Sequence, residues 1–547
     1  MKMLSSFNYI SRRSPVASAG AMVASSQPLA TQAGLSILAA GGGAVDAAIA
    51  TVAALQVTQP CSTGLGGDCF CLYFDRATRA IHALNGSGRS PAALSLERLH
   101  RERIYGALPD FHPYTVTVPG APRAWADLSE RFGRLPLSKV LAPAIRIAES
   151  GYPVAPLTAE WWQVGAAVQL SKHRHGGELM IDGRGPRPGE LMRLPSLASS
   201  LRILAEEGSR PFYEGRIAER IVRAVAEAGG VLSLDDLQTH SSEWTTPISV
   251  EYRGARVWEC PPNGHGLAVL LALGILRHLD IQDHPANDPM RYHLLIEAMR
   301  LAFADTARCV ADPAFAQAPL DELLSDDYSQ ARARLVNLDR ANRSPMPGGY
   351  SMPNPGRDTV YFAVVDAEGN GCSFINSNFM GFGTGIVPEG CGYALQNRGR
   401  GFSLDAGHAN CLAPRKRPYH TIIPALITDE GSGELKAVLG VMGAMMQPQG
   451  HVQVASALLD DNVDPQAALD RPRFQLEEGE AGGAVRLEDA FRPDIVQELG
   501  RLGHSPHIVS GISRSDFGLG QIILRDGETW WAGSDPRGDG CALGLLP

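Results

Sequence analysis

Residues 330–358 close on SPMPGGYSMPNPGRD, a stretch so rich in Pro, Gly and Ser that regular structure is disfavoured and an exposed connector is expected. The next residue opens a strand. In TVYFAVVD, Val360, Phe362 and Val364 alternate with Thr359, Tyr361, Ala363 and Val365, and Glu368-Gly369-Asn370 then turns the chain into GCSFIN. A hairpin is therefore expected to begin at Thr359. By itself a Thr at the head of a strand reflects β-propensity. After a connector it has a chemical use as well. Cleavage between Asp358 and Thr359 would free an α-amino group with a pKa of about 7.7–8.0, able to take the proton of the threonine's own hydroxyl.

The rest of the chain bounds what that strand belongs to. Its 547 residues, 44% hydrophobic and 20% charged, are enough for a large buried core and too apolar for a disordered chain. A formal charge of −9 argues against nucleic acid as a partner, and the short basic runs at Arg398–Arg400 and Arg415–Arg417 read as solvated loops. Nine cysteines are scattered, and Cys69 and Cys71 are separated by one residue where a zinc knuckle has two, so neither a disulfide framework nor a metal centre is expected. The glycine clusters AGGGAVD (40–46) and GLGGD (64–68) lack the Lys-Ser/Thr of a phosphate loop and the strand-to-helix context of a dinucleotide site, so no cofactor is expected either. MKMLSSFNYISRRSPV has no apolar run of signal-peptide length, and no segment reaches membrane-spanning length without polar interruption. The expectation is a cytoplasmic, reducing setting with no membrane partner.

Helices are expected at Ser25–Leu38 and Ala44–Leu55 on either side of Gly41–Gly43, at Arg123–Phe132, and at Ser138–Ser150 with a hydroxyl cap. A long helix should start from Asp288 and Pro289. Further strands are expected at Thr421–Ile427, Leu435–Val441 and Gly520–Leu524, with a helix at Gln453–Leu459.

Several motifs in order carry a resemblance over nearly the whole chain from Ala21: AMVASSQPLATQAGLSILAAGGGAVDAAIA, RFGRLPLSKVLAPAIRIAESGYPV, EAMRLAFADTARCVADP, DTVYFAVVDAEGN, FGTGIV, PRKRPYHTIIP and GSDPRGDG. Together they resemble the γ-glutamyltranspeptidase family. The resemblance implies a layered αββα N-terminal-nucleophile hydrolase fold of the α/β class. It also implies self-cleavage into a large fragment, 1–358, and a small one, 359–547, which form a heterodimer that can pair again. Thr359 then forms an acyl-enzyme with a small-molecule amide and passes the acyl group to water or an amine. Ser377 stands where the family has a threonine that hydrogen-bonds the nucleophile, and Gly443 and Ala444 resemble the glycine pair of the oxyanion hole.

The head-group site departs from the family's pattern. Leu96 stands at the arginine that holds the α-carboxylate, Phe379 at an Asn, Arg398 and Gly401 at the amino-binding pair, and His420-Thr421 at a Ser-Ser dipeptide. Loss of the acid and gain of Arg398 should repel an ammonium and favour a carboxylate. Arg89 is a second candidate for carboxylate binding, His420 reads as a packed residue and Phe379 as pocket wall. The segment FINSNFMGFGTGIVPEGCGYALQNRGRGFSLD is closer to the oxamate amidohydrolase branch, and the short Phe402–Pro418 connection suggests an open pocket. Three functions stand: an amidohydrolase for a small carboxylate-bearing amide, a γ-glutamyl hydrolase or transpeptidase with an altered head-group site, and an unprocessed binding protein.

Overall fold

The computed structural model describes residues 13–344, 358–477 and 483–546. Two seven-stranded sheets form its centre. The first runs Cys541–Leu545, Ala21–Ser25, Asp358–Val365, Gly371–Phe379, Asp68–Asp75, Ala80–Gly86, Glu243–Thr245. The second runs Val16–Ser18, Thr529–Ser534, Leu519–Asp526, Leu435–Met442, Ala425–Asp429, Ala255–Glu259, Ile248–Tyr252. Both contain strands from before and after residue 359.

Strand alternation stacks these sheets. Tyr361, Ala363 and Val365 meet Leu426, Val438 and Ile523 of the second sheet in a buried layer. The opposite face of the same strand, Val360, Phe362 and Val364, packs under helices that include Pro28–Ala39 and Ala44–Thr58. All fifteen residues of Ala44–Thr58 are buried. Gly34 lets the two helices touch, since a Cβ there would lie 2.2 Å from Thr51 Oγ1. On the outer face of the second sheet, Val257, Ala425, Leu439 and Ile522 pack under Gly266–Arg277, Pro289–Cys309 and Met446–Leu459. The result is the expected αββα sandwich.

The expected hairpin is present, with Tyr361 opposite Ile375 and Val365 opposite Gly371. The long helix starts where its cap predicts, Asp288 accepting from Met290 N at 2.8 Å. Other boundaries move. The first helix begins at Pro28, because Ala21–Ser25 is recruited into the first sheet. Ser138 caps nothing; a short turn at Leu137–Val140 precedes a helix at Ala142–Ser150. The strand expected from Thr421 starts at Ala425, and Thr421 itself lies in the loop that enters the site. The helix expected from Gln453 starts seven residues earlier, at Met446. The connector's beginning is not irregular, since Asp326–Ala333 is a helix capped by Ser325, while 345–357 lie outside the described residues. Among the described residues no helix is long and apolar enough to cross a membrane.

Candidate functional site

Three neighbouring strands of the first sheet present a polar row at one end. Thr359 lies one residue into its strand and is 2% exposed. Its Oγ1 is 3.0 Å from Ser377 Oγ on the next strand. Ser377 pairs in turn with Asp68 on the third. Phe70 and Tyr361 follow Asp68 and Thr359 on the side facing the second sheet, so the row faces the space between the sheets. Ser377 Oγ also accepts from Phe379 N at 2.9 Å, which fixes the direction of the hydroxyl.

The second sheet brings a turn to the same end. Gly440 lies against Tyr361, where an added Cβ would meet the ring at 2.4 Å, and Val438 lies nearer Gly371, farther from the hairpin's start. Leu435–Met442 therefore runs towards the Thr359 end and delivers Gly443 and Ala444 there. Gly443 has φ 132° and Ala444 φ 52°. For alanine this left-handed conformation costs roughly 1–2 kcal/mol, and such strain is kept where a backbone direction is needed. The turn leads into Met446–Leu459, with Met446 N donating to Gly443 O at 2.9 Å, so these amides stand at the positive end of a helix.

Arg398 brings a buried cation near this row. It sits in a short 3₁₀ turn, Arg398–Gly401, yet is fully buried. The guanidinium stacks on the Phe379 ring at 4.2 Å, and Nη1 donates to Thr421 Oγ1 at 2.9 Å. Its Nε and Nη2 have no partner. Burial pulls Arg398 down to about 9 against the opposing attraction of Asp68. Phe379 is held at φ 81°, which turns its ring under Arg398.

His420 is packed, as expected, with its ring 4.9 Å from Phe70, but it is also tied to a charge: Nε2 lies 3.0 Å from Asp68 Oδ2. Burial, with Arg398 and Arg417 nearby, holds it well below the ordinary histidine value. Burial pushes Asp68 up to about 6, opposed first by Arg398. The pair is a carboxylate with a neutral imidazole. Asp68 closes the GLGGD cluster, which lacks the strand-to-helix context of a dinucleotide site; the carboxylate behind the glycines was the signal to follow. Gln396, whose Nε2 donates to Asp68 Oδ1 at 2.9 Å, and Asn378, buried with both amide atoms unpartnered, were missed as well.

Arg89 is elsewhere. Its guanidinium is taken by Asp312 and Glu243, each at 3.0 Å, and by the Arg415 carbonyl, so it serves a structural ion-pair network. Arg400 pairs with Asp110 at 2.8 Å. The Phe402–Pro418 connection is anchored: Asn397 just before it donates to the Asp110 carbonyl, and Phe402 and Leu412 pack with Leu94, Leu99, Leu108 and Tyr114. Among the described residues one buried group has metal-ligand chemistry, His293, Glu297 and His504, with ligand atoms within 4.8 Å. It lies in the outer helix layer, the imidazoles already hydrogen-bond at 2.8 Å, and Arg300 stands 3.5 Å from Glu297, a cation where a metal would need anions.

A family model for Gamma-glutamyltranspeptidase matches residues 30–545. The chain is 36% identical over 527 residues to the glutathione hydrolase-like YwrD proenzyme of Bacillus subtilis, covering 96% of this chain and 98% of that one. It is 34% identical to the oxamate amidohydrolase proenzyme of Klebsiella pneumoniae, over 94% of this chain and 97% of that one. Among solved structures, cephalosporin acylase from Bacillus halodurans superposes with TM-score 0.91 at 43% identity, each chain covered completely.

Proposed function

The chain belongs to the gamma-glutamyltranspeptidase family of N-terminal-nucleophile hydrolases, and we propose that within it the enzyme hydrolyses a small amide bearing a carboxylate, oxamate being the type. The backbone breaks between Asp358 and Thr359, leaving fragments 1–358 and 359–547 as a heterodimer. The freed amine takes the Thr359 hydroxyl proton while Oγ1 attacks the amide carbon, and Ser377 orients that oxygen. The amides of Gly443 and Ala444 receive the developing oxyanion, worth about 2.7–4 kcal/mol per donor. The proton passes to the leaving ammonia, and water then attacks the ester to release the acid and restore Thr359. The cytoplasmic setting and the pairing of two heterodimers belong to the same proposal.

The observation that carries the substrate reading is Arg398, buried with two N–H-bearing nitrogens unpartnered. A fixed cation there matches a carboxylate and repels the ammonium of a γ-glutamyl head group. The test is processing and turnover together. We expect two fragments on a denaturing gel, with Thr at the new N-terminus, and faster ammonia release from oxamate than nitroanilide release from a γ-glutamyl anilide. Thr359→Ala should remain a single inactive chain. An unprocessed wild-type protein would leave only the binding-protein reading, and efficient γ-glutamyl turnover would reverse the substrate order.

A further inference from the structure

The mechanism above leaves two buried polar groups beside Arg398 without a use. Asp68 Oδ1 accepts from Gly88 N at 3.1 Å, Gly120 N at 3.2 Å and Gln396 Nε2 at 2.9 Å. Its Oδ2 is given to His420 Nε2 at 3.0 Å. A carboxylate only accepts, so the His420 proton sits on Nε2 and Nδ1 is a bare acceptor. That Nδ1 is buried and has no partner. The next residue, Thr421, holds Arg398, and the Arg398 charge acts on both Asp68 and His420, so the imidazole and the guanidinium belong to one buried cluster. Left unmet, buried groups of this kind each cost about 1–3 kcal/mol, and three of them in one cluster call for a partner.

We propose that His420 reads the atom next to the substrate's carboxylate, with Asp68 as the residue that sets its tautomer. This rests on the reading of Arg398 as the carboxylate holder. Arg398 takes the carboxylate, and His420 Nδ1 accepts a hydrogen bond from a neutral O–H or N–H donor on the adjacent carbon. The amide nitrogen of an oxamate-like substrate is such a donor, and so is a 2-hydroxyl. A carbonyl oxygen in that place meets Nδ1 lone pair to lone pair. An ammonium meets the charge of Arg398. The ligand class is thus small acids with a neutral hydrogen-bond donor one carbon from the carboxylate. Asp68 touches no substrate and acts through His420.

Asp68→Asn tests this without removing the pocket. The three N–H donors at Oδ1 keep the amide oxygen there, so the new NH2 faces His420 Nε2. Nε2 must then accept, and the proton moves to Nδ1, turning the acceptor into a donor. Lactate and pyruvate differ at this atom and carry no amide, so their binding to the processed enzyme, measured by titration calorimetry, is independent of turnover. We expect one lactate enantiomer to bind about tenfold more tightly than pyruvate. Asp68→Asn should reverse that order, and Arg398→Met should weaken both ligands alike. Equal affinity of the wild-type enzyme for lactate and pyruvate overturns the inference, as does an unchanged lactate preference in Asp68→Asn. Failure of the wild-type enzyme to bind either acid overturns the Arg398 reading instead. Should Asp68→Asn not fold, the wild-type ratio decides alone.

Discussion

Replacing Arg398 by Met should leave the ligand-free protein as stable as wild type or more so, while weakening carboxylate binding. Burial lowers the proton affinity of Arg398 by roughly three and a half powers of ten. At 1.36 kcal/mol for each, keeping it charged at neutral pH costs the folded state on the order of 5 kcal/mol. The attraction of Asp68 is already inside that figure. Two favourable terms offset it: the hydrogen bond to Thr421, about 1.5–3 kcal/mol for a charged donor, and the stack on Phe379, about 1–2 kcal/mol. Methionine is of similar length, unbranched and apolar, and fills the same space. The balance runs from no change to a gain of about 2 kcal/mol. The sign fixes the pH behaviour. A cation whose folded value is depressed carries its penalty in full below that value, so the gain should shrink as pH rises above about 9, and it should grow towards pH 6 because Asp68, freed of Arg398, takes up its proton more readily. Urea unfolding of both proteins with and without oxamate measures each part. A loss of 2 kcal/mol or more in Arg398→Met, with oxamate still stabilising it, would show that Arg398 is a structural ion-pair partner.

Two further outcomes follow from the site's geometry. Ala444→Gly should relieve the positive φ and raise stability by about 0.5–1 kcal/mol in thermal unfolding, with kcat retained because the amide stays in place; Ala444→Val should lose both. Asp68 supplies the pH dependence. Its neighbours are Arg398, the Gln396 amide, His240, the Gly88 amide and His420, and burial outweighs them to put the carboxyl at about 6. The folded protein thus takes up a proton between about pH 4 and 6 that the unfolded chain does not, so this group's contribution to stability falls as pH rises through that window. Activity should move the other way. Protonated Asp68 donates to His420 Nε2 and displaces the bare acceptor, so kcat/KM should fall on acidification below about 6, and Asp68→Asn should lack that inflection.

Local pattern made the central hairpin readable: the strict alternation from Thr359 to Val365 belongs to a strand buried on both faces, and it lies where expected. The cap at Asp288 and the helical spacing of Ala44–Thr58 are local in the same way. Motif order along the chain singled out Thr359, Ser377, Gly443 and Ala444, and the fold gathers them at one end of the sandwich. Arg89 and Arg398 were not separable by that route. Both are arginines in Gly- and Ser-containing loops, and whether a guanidinium is matched by acids or left open depends on residues more than a hundred positions away, such as Asp312 and Glu243 for Arg89.

The same limit hid the pairing of Asp68 with His420, 352 positions apart. The chain alone determined the two-layer strand pattern, the break in texture before Thr359 and the identity of the residue that follows it. The tertiary structure decided which charges are buried, because desolvation is set by everything packed around a group and not by its neighbours in sequence. Strand register placed Asp68 beside Ser377, and that placement turned a glycine-rich turn into part of a site.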